Sequence, residues 1–327
     1  MRGIVNLERK PIVVVGSINT DLVANTDHIP LGGETVTGDL FQVFPGGKGA
    51  NQAVAVARLG YPVHLIGRLG DDAFGEQMRS HLTSAGVDIS RVATSSGSSG
   101  VAVIVVARNG ENSIVVVPGA NADVSCEDID RNIEIIRAAG IVLTQLELPL
   151  ETVLYLAEVC EREGIPLMLD PAPARSLPLE LLRKLAWITP NETEAAILIG
   201  ASLDEAEDLD PQMITDQLLT GGSHGVVLKR SSRGGYLSSE GVAVPFAAFA
   251  VNPVDTTAAG DCFNGAFATG LMMTMTPIQS ARFASAAAAI SVTRRGAQPS
   301  MPSLEEVHQM MEANPMQGAS YENGVKK

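Results

Sequence analysis

Residues 252–265 read Asn-Pro-Val-Asp-Thr-Thr-Ala-Ala-Gly-Asp-Cys-Phe-Asn-Gly, and the rest of the sequence is best interpreted outward from this stretch. It follows a β-rich region and leads into a helical run rich in Ala and Met. Three small residues, Ala258, Ala259 and Gly260, come directly before Asp261. At a helix N-terminus such residues leave backbone N–H groups uncovered, and the free donors and the helix dipole favour an anion. The stretch therefore predicts an anion-binding turn that ends in a carboxylate.

Two interpretations of Asp261 follow from this local pattern. In the first, the carboxylate is a weak base that stays ionised because the helix dipole lowers its pKa. A weak base is adequate for phosphoryl transfer, where positioning and charge stabilisation provide most of the catalysis. In the second, Asp261 only caps the helix beside a tight turn.

The surrounding sequence predicts an α/β fold. Short apolar runs rich in β-branched residues alternate with helical segments, and continuous apolar strands separated by helices are typical of a parallel sheet covered on both faces. We therefore expect a three-layer α/β/α sandwich with a mostly parallel central sheet. The predicted strands are 12–17, 63–67, 141–144, 167–170 and 226–229, and the predicted helices include 51–59, 152–163 and 192–199.

Two segments, about 20–45 and 99–120, do not follow this alternation. In the second, a hairpin is predicted, 101–108 with 113–117, around Asn109-Gly110, which is a strong signal for a tight hairpin turn. Both segments are interpreted as antiparallel strand pieces that form a small sheet beside the main body. Such an apolar sheet is usually a lid or a dimer surface.

Composition limits the classes of protein that remain. The chain has 327 residues, 45% hydrophobic and 18% charged, which allows one large domain, expected at 11–313, and a disordered tail at 314–327. The formal net charge of −14 argues against a nucleic-acid partner. Three cysteines without CxxC spacing, and the lack of a long apolar run, predict a cytoplasmic protein with no membrane partner.

Several common motifs are missing from the sequence. GxGxxG, GxxxxGK[ST] and HExxH are all absent, which disfavours hydride transfer with a dinucleotide and a P-loop nucleotide site. Residues 221–225 do fit the GxSxG pattern of serine hydrolases. That motif needs a strand before the serine and a helix after it, and here the order looks reversed, so we expect an ordinary turn.

Residues 254–266 resemble the C-terminal signature D-T-x-A-A/G-G-D-x-F of the ribokinase-like (PfkB) carbohydrate kinases. Residues 45–53, Pro-Gly-Gly-Lys-Gly-Ala-Asn-Gln-Ala, resemble the N-terminal signature. The resemblance extends over residues 11–313 and favours the ribokinase branch. Further matching segments follow in the expected order, at 16–21, 170–175, 189–194 and 295–300.

The resemblance implies transfer of the ATP γ-phosphate to O5 of D-ribose, with Asp261 as the base and residues 258–260 as the anion hole. It also implies a set of sugar-binding residues at the carboxyl end of the sheet, where open α/β sheets bind ligands. The alternatives are a solvated turn at residues 19–21 and a helix start with Lys48 in solvent. The implied sugar ligands are Asn19, Asp21, Gly47, Lys48, Asn51, Glu147 and Asp261.

The nucleotide segment departs from the family pattern. Ribokinases usually carry T-x-G-x-x-G, whereas Lys229 here replaces a small polar residue and Ser231 replaces a glycine. The added cations would either hold the nucleotide phosphates or crowd the loop. Ser285 stands where some members place a larger polar residue near adenine. The implied ATP-binding residues are Asn191, Lys229, Arg230, Ser231, Ser232, Arg233, Gly234, Gly260 and Ser285.

Two cations are implied by the same resemblance, Mg²⁺ with ATP and K⁺ as an activator. Glu194 would lie near Mg²⁺, although Asn191 and Glu194 also form a capping box that needs no ligand. A homodimer through the small sheet is implied as well. The residues implied to surround K⁺ are Asp255, Thr257, Ser291, Arg294, Gly296 and Ser300.

Two alternatives to ribose phosphorylation stay open. The first keeps the kinase chemistry and changes the acceptor to another pentose, a ketohexose or a nucleoside. The second is a non-catalytic sugar sensor with the same fold. The presence of Asp261 and Lys48 argues against the sensor, because sugar binding alone needs no base.

Overall fold

A computed structural model describes residues 9–239 and 241–315 of the chain. The strands are β1 (Ile12–Val15), β2 (Asn19–Thr26), β3 (Leu40–Gly46), β4 (Val63–Gly70), β5 (Asp88–Ser95), β6 (Gly100–Ala107), β7 (Asn112–Val117), β8 (Ile141–Thr144), β9 (Leu167–Leu169), β10 (Trp187–Ile188), β11 (Gly225–Lys229), β12 (Gly235–Ser239) and β13 (Val242–Phe246). The helices are α1 (Lys48–Arg58), α2 (Ala73–Ser84), α3 (Cys126–Arg131), α4 (Ile133–Ala138), α5 (Leu150–Glu163), α6 (Leu179–Leu182), α7 (Glu192–Ile199), α8 (Pro211–Thr220), α9 (Ala259–Met272), α10 (Pro277–Ser291) and α11 (Leu304–Ala313).

The central sheet has nine strands in the order β13-β12-β11-β10-β9-β8-β1-β4-β5. All pairs from β5 to β11 are parallel, and β12 and β13 add two antiparallel pairs at one edge. The predicted mostly parallel sheet is therefore confirmed. Because the carboxyl ends of its parallel strands lie at one edge of the sheet, the loops that follow them meet there.

Helices cover both faces of this sheet. Side chains of a strand alternate between faces, so Ile12 and Val14 of β1 join one core cluster and Val13 and Val15 join the other. The first cluster is completed by helices that include α1, α9 and α10, and the second by helices that include α4, α5 and α8. The three layers expected from the sequence are present.

The second sheet has the order β3-β2-β6-β7, so the predicted small sheet exists. The hairpin of β6 and β7 around Asn109-Gly110 is antiparallel, as expected. In the first segment β2 and β3 also pair antiparallel, so the prediction of antiparallel pieces is confirmed for both segments. The two segments are joined by the central pair, β2 with β6, which is parallel and whose direction was not predicted. The physical reason is that β2 and β6 are not joined by a tight turn, and a parallel pair needs the long crossover connection that the intervening helices provide.

The hydrolase-like segment 221–225 is a turn between α8 and β11. The Ser223 hydroxyl donates to the Gly225 carbonyl oxygen at 2.9 Å. A helix precedes this serine and a strand follows it, which confirms the reversed order. Within the described ranges, none of the helices combines the length and the apolar character needed to cross a membrane. Most of the predicted tail, residues 316–327, lies outside the described residues.

Candidate active site

Asp261 lies in the first turn of α9, whose N-cap is Ala258. Ala258 has φ 59° and ψ 16°, a left-handed conformation that costs a residue with a Cβ roughly 1–2 kcal/mol. Such strain concentrates at binding and catalytic sites. The predicted helix start is confirmed, and the N-cap position belongs to Ala258 rather than to Asp261.

Gly260 leaves the first turn of α9 open. A Cβ built on Gly260 would find only the Nζ atom of Lys229 nearby, at 3.5 Å. The space beside Gly260 is therefore open and lies next to a cation, which suits an anionic group such as a phosphate at a helix N-terminus. In this turn the Ala259 N–H already donates to the Thr256 carbonyl oxygen at 3.2 Å.

The carboxylate of Asp261 is held by two amides of helix α1. Asn51 Nδ2 donates to Asp261 Oδ2 at 2.9 Å, and Gln52 Nε2 donates to Asp261 Oδ1 at 3.2 Å. Because both donors are side chains of another helix, the carboxylate is fixed by tertiary contacts. The interpretation of Asp261 as a helix cap loses its basis.

A second layer of amides fixes the first. Gln298 Nε2 donates to Asn51 Oδ1 at 3.0 Å, and Gln145 Nε2 donates to Gln52 Oε1 at 2.7 Å. With their oxygens engaged, Asn51 and Gln52 present NH₂ groups to the carboxylate. Sequence reasoning did not identify Gln52, Gln145 or Gln298. The available signal for Gln52 was a polar residue next to Asn51 on an otherwise apolar helix.

Burial raises the pKa of Asp261 to about 6, with Lys48 opposing the rise, Asp170 adding to it, and the Asn51 and Gln52 amides opposing it. The expectation that the helix dipole lowers this pKa is therefore wrong, since Asp261 is only 5% exposed and desolvation outweighs the dipole. At neutral pH the carboxylate is still mostly ionised.

Lys48 stays charged beside Asp261. Burial lowers the pKa of the Lys48 ammonium, but the negative charges of Asp261, Asp170, Glu147 and Glu194 together raise it above its ordinary value. A permanently protonated lysine thus lies among four carboxylates at the carboxyl end of the sheet. This charge also makes Lys48 suitable for an anionic group brought in by a ligand.

Asn19 and Asp21 begin β2, at the base of the small sheet. Asn19 Oδ1 accepts a hydrogen bond from Asn121 Nδ2 at 2.7 Å. Burial raises the pKa of Asp21 to about 7, and the charges of Glu147 and Asp261 add to the rise while Lys48 opposes it. The residues expected to bind sugar are therefore close enough to affect one another electrostatically.

Gly47 and Glu147 are the remaining residues that were expected to bind sugar. Gly47 has φ 86°, and a Cβ there would lie 2.5 Å from the backbone nitrogen of Asn19, so only glycine fits. Glu147 Oε2 accepts from the Ser17 hydroxyl at 2.5 Å and from the Lys48 backbone N–H at 3.2 Å. Glu147 thus links the segment after β1 to the start of α1.

On the other side of Asp261 a cavity of about 820 Å³ opens, a size typical of small-molecule sites. Much of its lining is apolar, including Phe246, Phe249 and Val251. It also contains most of the residues that were expected to bind ATP. These are Asn191, Lys229, Ser231, Ser232, Gly234, Gly260 and Ser285.

Arg230 and Arg233 do not line this cavity. Arg230 Nε lies 2.9 Å from Glu192 Oε1, and an Arg233 guanidinium nitrogen lies 2.7 Å from Glu192 Oε2. Lys229 is the cation of this segment that faces the cavity, and its Nζ lies 3.1 Å from Asp170 Oδ1. The structure therefore separates Lys229 from the two arginines that follow it.

The predicted capping box at the start of α7 is confirmed. The Asn191 backbone N–H donates to Glu194 Oε2 and the Glu194 backbone N–H donates to Asn191 Oδ1, both at 2.8 Å. Glu194 also lines the cavity, and burial raises its pKa, with Lys229 opposing the rise. A carboxylate oxygen at this position is a suitable ligand for a hard divalent cation.

Metal ligands supplied by the protein alone are few. Among residues 9–239 and 241–315, three or more His, Cys, Asp or Glu side chains nowhere converge on a metal position. This fits Mg²⁺, which commonly uses one or two carboxylates, water and substrate phosphates.

The segments implied to hold K⁺ meet next to the anion-binding turn. Asp255 accepts from the Thr257 backbone N–H at 2.9 Å and from the Gly296 backbone N–H at 2.8 Å. Burial would raise the pKa of Asp255, but these bonds and Arg295 lower it overall. The side chain of Arg294 pairs with Glu306.

Ser291 and Ser300 are buried in the same region. Their hydroxyls donate to the carbonyl oxygens of Ala288 and Ala297, at 2.8 and 2.7 Å. All six residues predicted for this site therefore lie in two neighbouring segments, 255–257 and 291–300, which the hydrogen bond from the Gly296 N–H to Asp255 joins.

The fold and the site together define a kinase that phosphorylates a small hydroxylated substrate. Residues 9–304 match the family described as pfkB family carbohydrate kinase. The chain is 44% identical to a ribokinase of Bacillus subtilis, covering 92% of this chain and 99% of the relative, and 37% identical to a deoxyribokinase of Salmonella typhimurium, covering 93% and 99%. It also resembles the structure of Arabidopsis thaliana ribokinase complexed with ribose and ATP, with a TM-score of 0.84 and 34% identity over 93% of this chain and 99% of that chain.

The chain belongs to the pfkB family of carbohydrate kinases. Membership in an ATP-dependent kinase family implies a divalent metal ion that accompanies ATP. The catalytic class predicted from the sequence is confirmed.

Proposed function

We propose that this protein transfers the γ-phosphate of ATP to O5 of D-ribose, giving D-ribose 5-phosphate and ADP. One observation carries the proposal: the buried Asp261 carboxylate lies between a cluster of polar side chains and the open first turn of α9. A sugar hydroxyl on the first side and a phosphate on the second would meet at this carboxylate. The similarity to ribokinases over more than nine-tenths of the chain supports ribose as the acceptor.

The chemistry assigns a role to each part. The sugar oxygen forms a bond to the γ-phosphorus, the bond from that phosphorus to the bridging oxygen breaks, and the hydroxyl proton passes to Asp261. The N–H groups of residues 258–260 and the Lys48 ammonium stabilise the charge on the transferred group. A divalent ion brought with ATP, near Glu194 and Asn191, would neutralise phosphate charge.

The sugar would be held by the residues that surround Asp21. Its carboxylate is suited to accept from two adjacent hydroxyls, as a polyol clamp requires. Asn19, Gly47, Asn51 and Glu147 would supply the remaining contacts. On the nucleotide side, the phosphates would bind at Lys229, Ser231, Ser232 and Gly234, and the adenine base would bind in the pocket near Ser285. Arg230 and Arg233, which pair with Glu192, would contribute to this site only indirectly.

A monovalent cation site is also proposed, at Asp255, Thr257, Ser291, Arg294, Gly296 and Ser300. The fit rests on the Asp255 carboxylate, whose low pKa keeps it charged, and on carbonyl oxygens of the two segments that it joins. A K⁺ there would stabilise the loop that leads to Ala258 and so order the donors of the anion-binding turn.

The domain limits and the assembly belong to the same proposal. Residues 11–313 would form the kinase domain, with the segments 20–45 and 99–120 as a lid over the sugar. The exposed apolar side chains of this sheet, such as Phe41, Ile114 and Val116, would pair two copies as a homodimer. A cytoplasmic location remains an expectation from the sequence.

The deciding experiment is coupled ATP turnover with ribose, 2-deoxyribose, fructose, adenosine and uridine, with Mg²⁺ and with or without K⁺. The highest kcat/KM on ribose, increased by K⁺, is expected. Highest turnover on another member of the panel would keep the mechanism and change the acceptor. Sugar binding without turnover on any of them would favour the sugar sensor.

A further inference from the structure

Asp170 is a buried carboxylate that contacts both sides of the site. It follows β9 at the carboxyl end of the sheet, is 3% exposed, and lines the nucleotide cavity. Its two oxygens have different partners. Oδ2 accepts from Gln52 Nε2 at 3.1 Å, and Oδ1 pairs with Lys229 Nζ at 3.1 Å.

Through Gln52, Asp170 is connected to the base. The same Nε2 atom donates to Asp261 Oδ1 at 3.2 Å, so one amide bridges two carboxylates with its two hydrogens. The other end of the amide is fixed, because Gln52 Oε1 accepts from Gln145. If Asp170 were removed, Gln52 would lose one of the contacts that hold its amide on Asp261.

Through Lys229, Asp170 is connected to the phosphate side. Lys229 ends β11, and its side chain is 14% exposed. The Nζ atom lies 3.5 Å from the position that a Cβ of Gly260 would take, so the ammonium faces the open turn of α9. The ion pair with Asp170 restrains a long, flexible side chain at this place.

We propose that Asp170 is a positioning residue for phosphoryl transfer, which holds Lys229 beside the anion-binding turn and Gln52 on the base. The inference rests on the proposed transfer of phosphate at Asp261. A buried ion pair adds little net stability, because its Coulomb attraction is largely offset by desolvation. Its main effect here is geometric, since misplacement of reacting groups by about 1 Å lowers rates by about 100-fold.

The first test is the kinetics of Asp170→Asn, Lys229→Met and the double variant with ribose and ATP. Each single variant is expected to lower kcat by about 100-fold, the loss that misplacement produces. The KM for ribose should change less than kcat. Because the two residues share the contact between them, the double variant should lose less than the product of the two single losses.

The pH profile of kcat supplies a readout that a purely structural role would not change. The charged groups around Asp261 are Lys48, Asp170 and Asp21, and Asp170 contributes to raising the pKa of Asp261. In Asp170→Asn, the fall of kcat at acidic pH (the acid limb of the profile) should therefore occur at lower pH. Lys229→Met leaves the charge of Asp170 without its partner and should move the limb to higher pH.

Asp128→Asn is the matched control. Asp128 forms a comparably buried pair with Arg68 at 2.8 Å, and neither residue lines the cavity. This control should lose thermal stability while its kcat and acid limb stay unchanged. If Asp170→Asn behaves like Asp128→Asn, the inference is wrong. If Asp170→Asn does not fold, an unchanged kcat and acid limb for Lys229→Met would also overturn it. Failure of the unaltered protein to turn over ATP and sugar would instead overturn the proposed function.

Discussion

The sugar side and the nucleotide side of the site are built differently. On the sugar side, buried amides and carboxylates such as Asn51, Gln52 and Asp261 are hydrogen-bonded to one another. On the nucleotide side, a cavity of about 820 Å³ has a largely apolar wall, with Phe246 and Phe249. Fixed polar groups stabilise a transition state without reorganisation, whereas an apolar pocket mainly supplies binding. Changes on the first side should therefore lower kcat, and changes deep in the second should raise KM.

The largest effect is expected from Asp261→Asn. The substitution keeps the shape of the side chain and removes the base, and general-base catalysis contributes about 10²–10⁴-fold. We expect kcat to fall by that factor while calorimetry detects ribose binding with little change. Equal losses of kcat and of sugar affinity would contradict the role of Asp261 as base and the proposed separation of the two sides.

Gly260→Val should have the next largest effect, because Gly260 lies at the boundary between the sides. The added side chain would find only Lys229 nearby, but it would occupy the space beside the first turn of α9. Loss of one N–H donor contact there costs about 10²–10³-fold in kcat. The thermal midpoint and ribose affinity should stay close to those of the unaltered protein. A variant with normal kcat would show that the phosphate does not bind at this turn.

The sequence predicted the central sheet well because its information is local. The apolar runs of β1, β8 and β9 are buried along their whole length, and alternation with helices already indicates parallel pairing. The parallel pairing of β2 with β6 was not predictable from the Asn109-Gly110 turn, which determines only the neighbouring hairpin.

The site was predictable in part for the same reason. The anion-binding turn is contained in four consecutive residues, 258–261, and each of its properties follows from residue size and helix position. The pairing of Asp170 with Lys229 and of Asn51 with Gln298 joins residues far apart in the chain. The pKa of Asp261 depends on burial between α1 and α9, and the dipole argument, which is local, therefore gave the wrong direction.

The pH dependence of activity should separate the two carboxylates of the sugar side. In the free enzyme Asp21 has a pKa of about 7 and Asp261 of about 6, and both must be ionised, one to clamp the sugar and one to accept its proton. As pH falls, kcat/KM for ribose should decrease through both values, by about tenfold per pH unit for each group. With sugar bound, kcat should show only the ionisation of Asp261. Asp21→Asn should remove the fall of kcat/KM near pH 7. If that fall persists in the variant, the ionisation belongs to another group.

The smallest effect is expected at Ser285, deep on the nucleotide side. Its hydroxyl donates to the Ala247 carbonyl oxygen at 3.2 Å, and the wall around it is mostly apolar. A hydrogen bond of this kind contributes about 1 kcal/mol net, so Ser285→Ala should change the KM for ATP by no more than about fivefold. The kcat and the ribose affinity should not change, because the Ser285 hydroxyl is hydrogen-bonded to Ala247 and not to a residue of the Asp261 network. A fall in kcat comparable to that of Gly260→Val would mean that the apolar wall also positions the phosphate, and the difference between the two sides would disappear.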